Sequence, residues 1–165
     1  MKTHRSMVMV VILALGLLST AAGNRIFTKA SLSDVSVLTA DPTDGAWAVA
    51  TATVGEGQTV VVLNVNDLDR SEEGRRLGAH VHTGPCVAGN GAAALGHYRV
   101  AGAAVSPETE VWLDFTISDG GTGHATAIVP FEIAPGNAHS IVIHHDPTEE
   151  TGAAGARLAC IPLEF

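Results

Sequence analysis

Histidines are the residues of this sequence whose type and spacing best suit chemistry. Eight are present, and seven of them fall between residues 80 and 145. His80 and His82 lie two apart in the segment GAHVHTG. On a strand this spacing places both imidazoles on one face, with their Cα atoms about 7 Å apart. Two such rings can converge on one ion, so the pair predicts a metal site.

Two further segments supply candidate ligands. His97 stands alone after a Leu-Gly pair, and His144 ends an apolar run with His145 next to it. Because adjacent strand residues point to opposite faces, one of His144 and His145 can join a site while the other faces away. All-imidazole ligation without cysteine favours copper or zinc over iron–sulfur clusters or calcium. The other two histidines of this stretch lack such a setting and are interpreted as surface residues: His124 and His139.

Short strands joined by tight turns are predicted to position these histidines. Runs rich in β-branched residues at 46–54 and 59–65 flank Gly-Glu-Gly at 55–57, which is a hairpin signal. Further strands are predicted at 111–117, 125–131, 140–144 and 157–163. Eight or nine short strands, 18 glycines and no helical stripe indicate an all-β antiparallel sandwich or barrel. Residues 24–33 show no strong pattern and are interpreted as a short polar lead-in.

The first 23 residues have the layout of a secretory signal peptide. A basic start precedes an apolar run over 7–18 and small residues over 19–23. A run of this length is short of the roughly 20 apolar residues that span a bilayer. We therefore expect cleavage near residue 22 or 23, no membrane span afterwards, and export to the periplasm, the cell envelope or the medium.

Composition narrows the possible functions. The 165 residues suffice for one domain, and 46% of them are hydrophobic, which excludes wholesale disorder. Loss of residues 1–23 would leave seven basic residues against 17 acidic ones, a net charge of −10. A nucleic-acid partner is disfavoured because no basic patch is present. Export would place Cys86 and Cys160 in an oxidising compartment, where they can pair.

Four motifs resemble those of the Cu/Zn superoxide dismutases and occur in that family's order. They are the first copper-ligand strand, the Gly-His-aromatic segment of the bridging histidine, the strand that ends in the fourth copper histidine, and the glycine-rich approach to an active-site arginine and a disulfide cysteine. The matching segments are 78–82 with Cys86, 96–98, 140–144 and 151–160. Four ordered motifs are a more specific signal than any one of them.

The resemblance implies a Greek-key antiparallel β-sandwich over residues 34–165 with one disulfide, between Cys86 and Cys160. It implies one copper ion per chain and superoxide disproportionation to oxygen and hydrogen peroxide. The implied copper ligands are His80, His82, His97 and His144. Arg157 would sit over the open face of the metal. A local positive charge is needed to guide the substrate, because a chain with a net charge near −10 repels superoxide as a whole, and Arg157 would supply that charge.

The sequence also departs from the family. Residues 99–109 contain no histidine where the family holds zinc ligands, and the segment 145–156 is short where the family has a long electrostatic loop. The chain therefore resembles the copper-only branch, and we expect zinc to be absent. We hypothesise that Glu110 accepts a hydrogen bond from His97 and takes over the orienting role of zinc. Two other acids, Asp114 and Asp146, are weaker candidates for further partners of the ligands, and for each the favoured interpretation is a solvated strand or turn residue.

Three alternatives remain at this point. The same fold could hold copper for storage, delivery or tolerance, and turnover per bound copper would separate this module from an enzyme. A structural β-module without metal could carry a short His-x-His strand by itself. A zinc hydrolase is disfavoured because no H-E-x-x-H or similar motif is present. The sequence shows no interface from which an oligomeric state follows.

Overall fold

Two four-stranded antiparallel sheets form the framework of the structure. The computed structural model describes residues 23–36, 38–39 and 41–165, so the expected signal peptide lies almost entirely outside the described residues. The strands are β1 (Asn24–Ser31), β2 (Ser33–Asp34), β3 (Trp47–Gly55), β4 (Gln58–Asn66), β5 (Arg76–Leu77), β6 (Ala79–His82), β7 (Phe115–Thr116), β8 (Gly123–Val129), β9 (Ser140–His144) and β10 (Arg157–Pro162). Two short 3₁₀ turns, Arg70–Glu72 and Gly91–Ala94, complete the assigned elements. The predicted all-β antiparallel class is confirmed, whereas the Greek-key connectivity stays a prediction.

The first sheet has the order β1–β3–β4–β8. Its central hairpin turns at Glu56 and Gly57, whose φ angles of 56° and 78° are both positive. A two-residue hairpin that matches the strand twist requires this conformation. Small and branched residues alternate toward the core, so that Ala50 and Leu63 are fully buried as register partners. The predicted hairpin is confirmed to within one residue at its ends.

The segment interpreted as a polar lead-in is a strand instead. β1 pairs with β3 along all eight of its residues, from Asn24 opposite Val54 to Ser31 opposite Trp47. As an edge strand it buries only one side partially, so its apolar alternation is weak in the sequence. The lead-in prediction was therefore wrong for residues 24–31.

The second sheet has the order β2–β10–β9–β6 and much shorter strands. Every residue of β6 and β9 is buried, although the two strands alternate in chemistry. Val81 and Ile141 are register partners in the apolar core between the sheets. Val142 opposes His80 on the outer side and packs in a small separate cluster with Cys160. The outer side of this sheet is therefore covered, and it carries the histidines.

The predicted strand at 111–117 is only partly regular. Its apolar face is buried as expected, with Val111, Leu113 and Ile117 at most 1% exposed. The segment first meets β6 through a single bridge between Trp112 and His80, and then pairs with β5 through β7. Because it changes partner midway, no continuous ladder forms, and the prediction of one unbroken strand was wrong.

A disulfide links the loop after β6 to β10. Cys86 and Cys160 are bonded, with their Cα atoms 5.6 Å apart and 74 positions of sequence between them. This confirms the predicted pairing. In the chain-entropy model a loop of this length contributes about 4 kcal/mol to stability. None of the helical segments among the described residues has the length and apolar character needed to cross a membrane.

Candidate metal centre

Four histidines from the second sheet and its connections converge on one point. His80 and His82 lie on β6 and are fully buried, and His144 ends β9 with 4% exposure. His97 comes from the following loop and forms a backbone bridge with His82. One ring nitrogen from each of the four lies within 4.8 Å of one from each of the others. The structure thus brings together the four histidines that the resemblance implies.

Two of the rings are oriented by backbone carbonyl groups. His82 Nδ1 lies 3.2 Å from the Leu95 carbonyl, and His144 Nδ1 lies 3.3 Å from the Gly155 carbonyl. A carbonyl oxygen only accepts, so both rings carry their proton on Nδ1 and leave Nε2 unprotonated. Gly155 has a φ angle of 71°, a left-handed conformation that favours glycine, and an added Cβ would also displace the Asp146 carboxylate. Glycine therefore allows the close approach that brings this carbonyl to His144.

The other two rings are oriented by side chains. His97 Nδ1 donates to Glu110 Oε2 at 3.0 Å, which is the contact hypothesised from the sequence. The same carboxylate oxygen accepts from Trp112 Nε1 at 2.9 Å, and Glu110 is 4% exposed. His80 Nε2 lies 2.8 Å from Thr148 Oγ1. Each of the four imidazoles thus has a partner for one nitrogen and turns the other toward the centre.

The inward nitrogens fit a metal ion better than they fit one another. His82 Nε2 and His144 Nε2 are 3.3 Å apart. Because both rings are protonated on Nδ1, these two atoms present lone pairs and cannot hydrogen-bond. His80 Nδ1 is buried without any hydrogen-bond partner. Metal–imidazole bonds are about 2.0–2.1 Å long, so one ion between nitrogens at this spacing would satisfy all of these atoms.

Three histidines of the centre, His80, His82 and His144, are held neutral. Burial lowers the pKa of His80 strongly and that of His82 to about 3, with the charge of a protonated His97 acting in the same direction. Burial lowers the pKa of His144 to about 4, against the raising effect of its hydrogen bond to Gly155. Neutral imidazole is the form that binds metal. At neutral pH these three rings are therefore ready to act as ligands.

Arg157 stands beside the centre. It is the register partner of His144 on β10 and donates to the carbonyls of Gly91 and Leu95. Burial lowers the pKa of its guanidinium, which nevertheless remains charged at neutral pH. Together with His97 it lines an open cavity of about 520 Å³. A small anion in this cavity would meet a guanidinium whose position the backbone fixes.

The Leu95 carbonyl accepts from both His82 and Arg157. Leu95 has φ and ψ angles of 58° and −144°, a sparsely populated backbone conformation that costs a side-chain-bearing residue about 1–3 kcal/mol. The turn thus tolerates local backbone strain at Leu95, whose carbonyl oxygen contacts both His82 and Arg157.

Sequence reasoning undervalued one residue of the site and missed others. Asp114 was a weak candidate partner with a solvated residue as the favoured interpretation, but its side chain is 7% exposed and accepts from the Thr148 hydroxyl and from Arg76. Trp112 was not considered, although its position two residues after Glu110 places both on one side of an extended segment. Thr148 and the two carbonyls carry no signal in residue type that could have identified them.

The remaining acid and histidines of interest lie outside the centre. Asp146 contacts His145, with Oδ1 2.7 Å from Nδ1, rather than a candidate ligand. His124 contacts Asn64 on the first sheet, and His139 contacts the carboxylate of its neighbour Glu164. These three histidines are thus separate from the four-histidine group found among the described residues.

No protein-family model matches the chain, and no curated protein matches it significantly. The likeness to superoxide dismutases therefore rests on the four motifs, and the case for function rests on the geometry of the site.

Proposed function

We propose that the protein is an exported, copper-dependent superoxide dismutase that works without zinc. The observation that carries the proposal is the centre itself. Four imidazoles have one nitrogen each engaged and the other turned inward, beside a guanidinium on an open cavity. Copper held by His80, His82, His97 and His144 would supply one-electron redox chemistry, through which one superoxide is oxidised to oxygen and a second, with two protons, is reduced to hydrogen peroxide.

The donor set supports copper as the metal. Imidazole nitrogen suits copper and zinc, and the affinity of such sites for divalent ions is highest for copper. Glu110 Oε2 is already engaged in a buried position, because it accepts from both His97 and Trp112. Glu110 would instead fix the ring plane and proton position of His97, the role that zinc has in the resembling family.

Arg157 supports a small anionic substrate. Two of its five N–H donors are used on the carbonyls of Gly91 and Leu95, and the others remain for a ligand in the cavity. In a chain with a net charge near −10, the local positive charge would determine where superoxide approaches. The disulfide supports the exported compartment, because such bonds persist in oxidising environments.

Metal analysis combined with a dismutase assay tests the proposal. The mature, disulfide-bonded protein is loaded with copper, with zinc, and with both, and bound metal is measured by elemental analysis. We expect about one copper per chain, no zinc, and turnover that falls with increasing salt. His144→Ala should abolish copper binding, whereas His124→Ala, an exposed control, should leave it unchanged.

Other results would lead to different conclusions. Copper bound without turnover would make the protein a copper-holding module of the same fold. Failure to bind copper would overturn the proposal and favour the structural module.

A further inference from the structure

Thr148 differs in hydrogen-bonding chemistry from the other partners of the four histidines. Its hydroxyl oxygen lies 2.8 Å from His80 Nε2 and also contacts Asp114 Oδ1. The other three rings are held by groups that can only accept a hydrogen bond: two carbonyls and a carboxylate. A hydroxyl can donate or accept, so it does not by itself decide where the proton of His80 resides.

Asp114 resolves this ambiguity. Its carboxylate only accepts, so the single proton of the Thr148 hydroxyl must point toward Asp114. The hydroxyl oxygen is then left to accept, and His80 must donate from Nε2. His80 consequently presents an unprotonated Nδ1, the buried atom that has no partner in the protein.

We propose that Thr148 and Asp114 act as a pair of positioning residues that select the tautomer of His80 and so make Nδ1 its metal-binding atom. The pair is anchored from outside the centre. Asp114 Oδ2 accepts from the Thr148 backbone N–H at 2.9 Å and lies 3.3 Å from Arg76 Nη2. The inference rests on the proposed copper site but not on dismutation.

The anchoring leads to a specific expectation for an isosteric change. In Asp114→Asn, the amide oxygen would take the Oδ2 position, because both neighbours there are donors. The amide N–H₂ would then face the Thr148 hydroxyl and donate to it. The hydroxyl would turn and donate to His80 Nε2, which moves the imidazole proton to Nδ1 and aims it at the metal position.

Histidine ¹⁵N chemical shifts of the metal-free, disulfide-bonded protein at neutral pH give the first readout, because they distinguish protonated from unprotonated ring nitrogens. We expect His80 to be protonated on Nε2 in the wild type, mixed in Thr148→Val, and protonated on Nδ1 in Asp114→Asn. Thr148→Ser keeps the hydroxyl and should restore the wild-type pattern. Thr151→Val is the matched control, because Thr151 lies in the same loop and its hydroxyl contacts only exposed Glu149 and the Ala153 N–H.

Copper(II) affinity, measured by competition with a chelator, gives the second readout. Loss of an outer partner of a metal-bound histidine typically weakens binding about 10–100-fold, so we expect this loss in Thr148→Val and Asp114→Asn. Thr148→Ser and Thr151→Val should bind like the wild type.

The results separate positioning from simple support of the loop. If His80 keeps its proton on Nε2 in both variants, or if affinity falls equally in Thr151→Val, the proposal is overturned. Should Thr148→Val not fold, the reversal expected in Asp114→Asn decides the matter alone. A wild type that binds copper without dismuting superoxide would overturn the proposed function and leave the tautomer result standing.

Discussion

The two sheets face the same core but differ on their outer sides. In the first sheet, strands of up to nine residues alternate regularly between buried and half-buried or exposed positions. In the second sheet, strands of two to six residues are covered on the outer side as well, and that side carries the candidate ligands. The first sheet is stabilised mainly by apolar burial, with Thr59 as a buried polar side chain that is hydrogen-bonded, whereas the second must satisfy a whole group of buried histidines.

The first sheet therefore contributes mainly to stability, whereas the second also carries the candidate site. Burying a polar atom without a partner costs roughly 1–3 kcal/mol on protein mutational scales, and His80 Nδ1 is such an atom. A metal ion would remove that cost. In the metal-free protein, the second sheet is therefore expected to be the region whose stability depends most strongly on pH.

Acid should have the largest effect, and it should act through the second sheet. In the unfolded metal-free chain the histidines titrate near 6.5, whereas the folded pKa values are about 3 for His82 and about 4 for His144. Below pH 6.5 the unfolded chain gains protons that the folded chain does not, so stability is full above this pH and falls as the pH decreases toward 4 and 3. The loss is on the order of 1.4 kcal/mol per pH unit for each ring that stays neutral.

Urea unfolding of the metal-free protein at pH 7, 6 and 5 measures this slope. His82→Gln should flatten it, whereas His124→Gln, on the exposed face of the first sheet, should not. Equal unfolding free energies at pH 5 and pH 7 would contradict the prediction.

Removal of the disulfide should have the next largest effect. Replacing Cys86 and Cys160 by serine should lower the free energy of unfolding by about 4 kcal/mol. It should also weaken metal binding, because the bond anchors the loop whose Leu95 carbonyl orients His82. Leu63→Ala, in the core of the first sheet, should cost a similar 2–5 kcal/mol, as is roughly typical of such truncations.

The metal content of these two variants tests whether the second sheet controls the centre independently of overall stability. Metal content after loading should fall in the double serine variant and remain unchanged in Leu63→Ala. Equal loss of metal in both would mean that general destabilisation, and not the loop, controls the centre.

Glu110→Gln should act on the centre with little effect on the fold. Its amide can still offer one oxygen to His97 and Trp112 but carries no negative charge, so the hydrogen bond from His97 weakens and we expect copper affinity to fall about tenfold. Competition with a chelator measures the change, and exposed Glu108→Gln is the control. An affinity equal to that of the control would show that Glu110 does not orient His97.

Arg157→Ala should have the smallest effect on binding and should act on turnover. Copper content should stay at the wild-type level, while dismutation slows about tenfold at low ionic strength and loses much of its salt dependence. Arg157→Lys keeps the charge but not the two-carbonyl contact, and should lie between. An unchanged salt dependence in Arg157→Ala would argue against guidance by this residue.

The regular parts of the molecule could be predicted from the sequence. Residues 140–144 were predicted as a strand and form β9, and the first hairpin was placed to within a residue, because alternation and turn residues dominate there. The ligand set followed from motif order and not from residue pattern alone. Edge strand β1 was missed because a strand buried on part of one side needs few apolar residues.

Partners of the ring nitrogens were the hardest to predict. The carbonyls of Leu95 and Gly155 belong to the backbone, which every residue possesses, so only the fold brings them to His82 and His144. Thr148 meets His80 across 68 positions of sequence. Glu110 was found because counting back from the turn at Asp119 and Gly120 places it near the zinc aspartate of the resembling family, whereas no such correspondence pointed to Thr148.

The Leu95 carbonyl affects how precisely His82 and Arg157 are oriented relative to each other. One oxygen atom holds both His82 and Arg157, so the direction of a ligand and the direction of the guanidinium share a common reference point. A displacement of this turn would move both groups together and largely preserve the angle between them. Alignment of an incoming anion with the metal would then vary less than the position of either group alone.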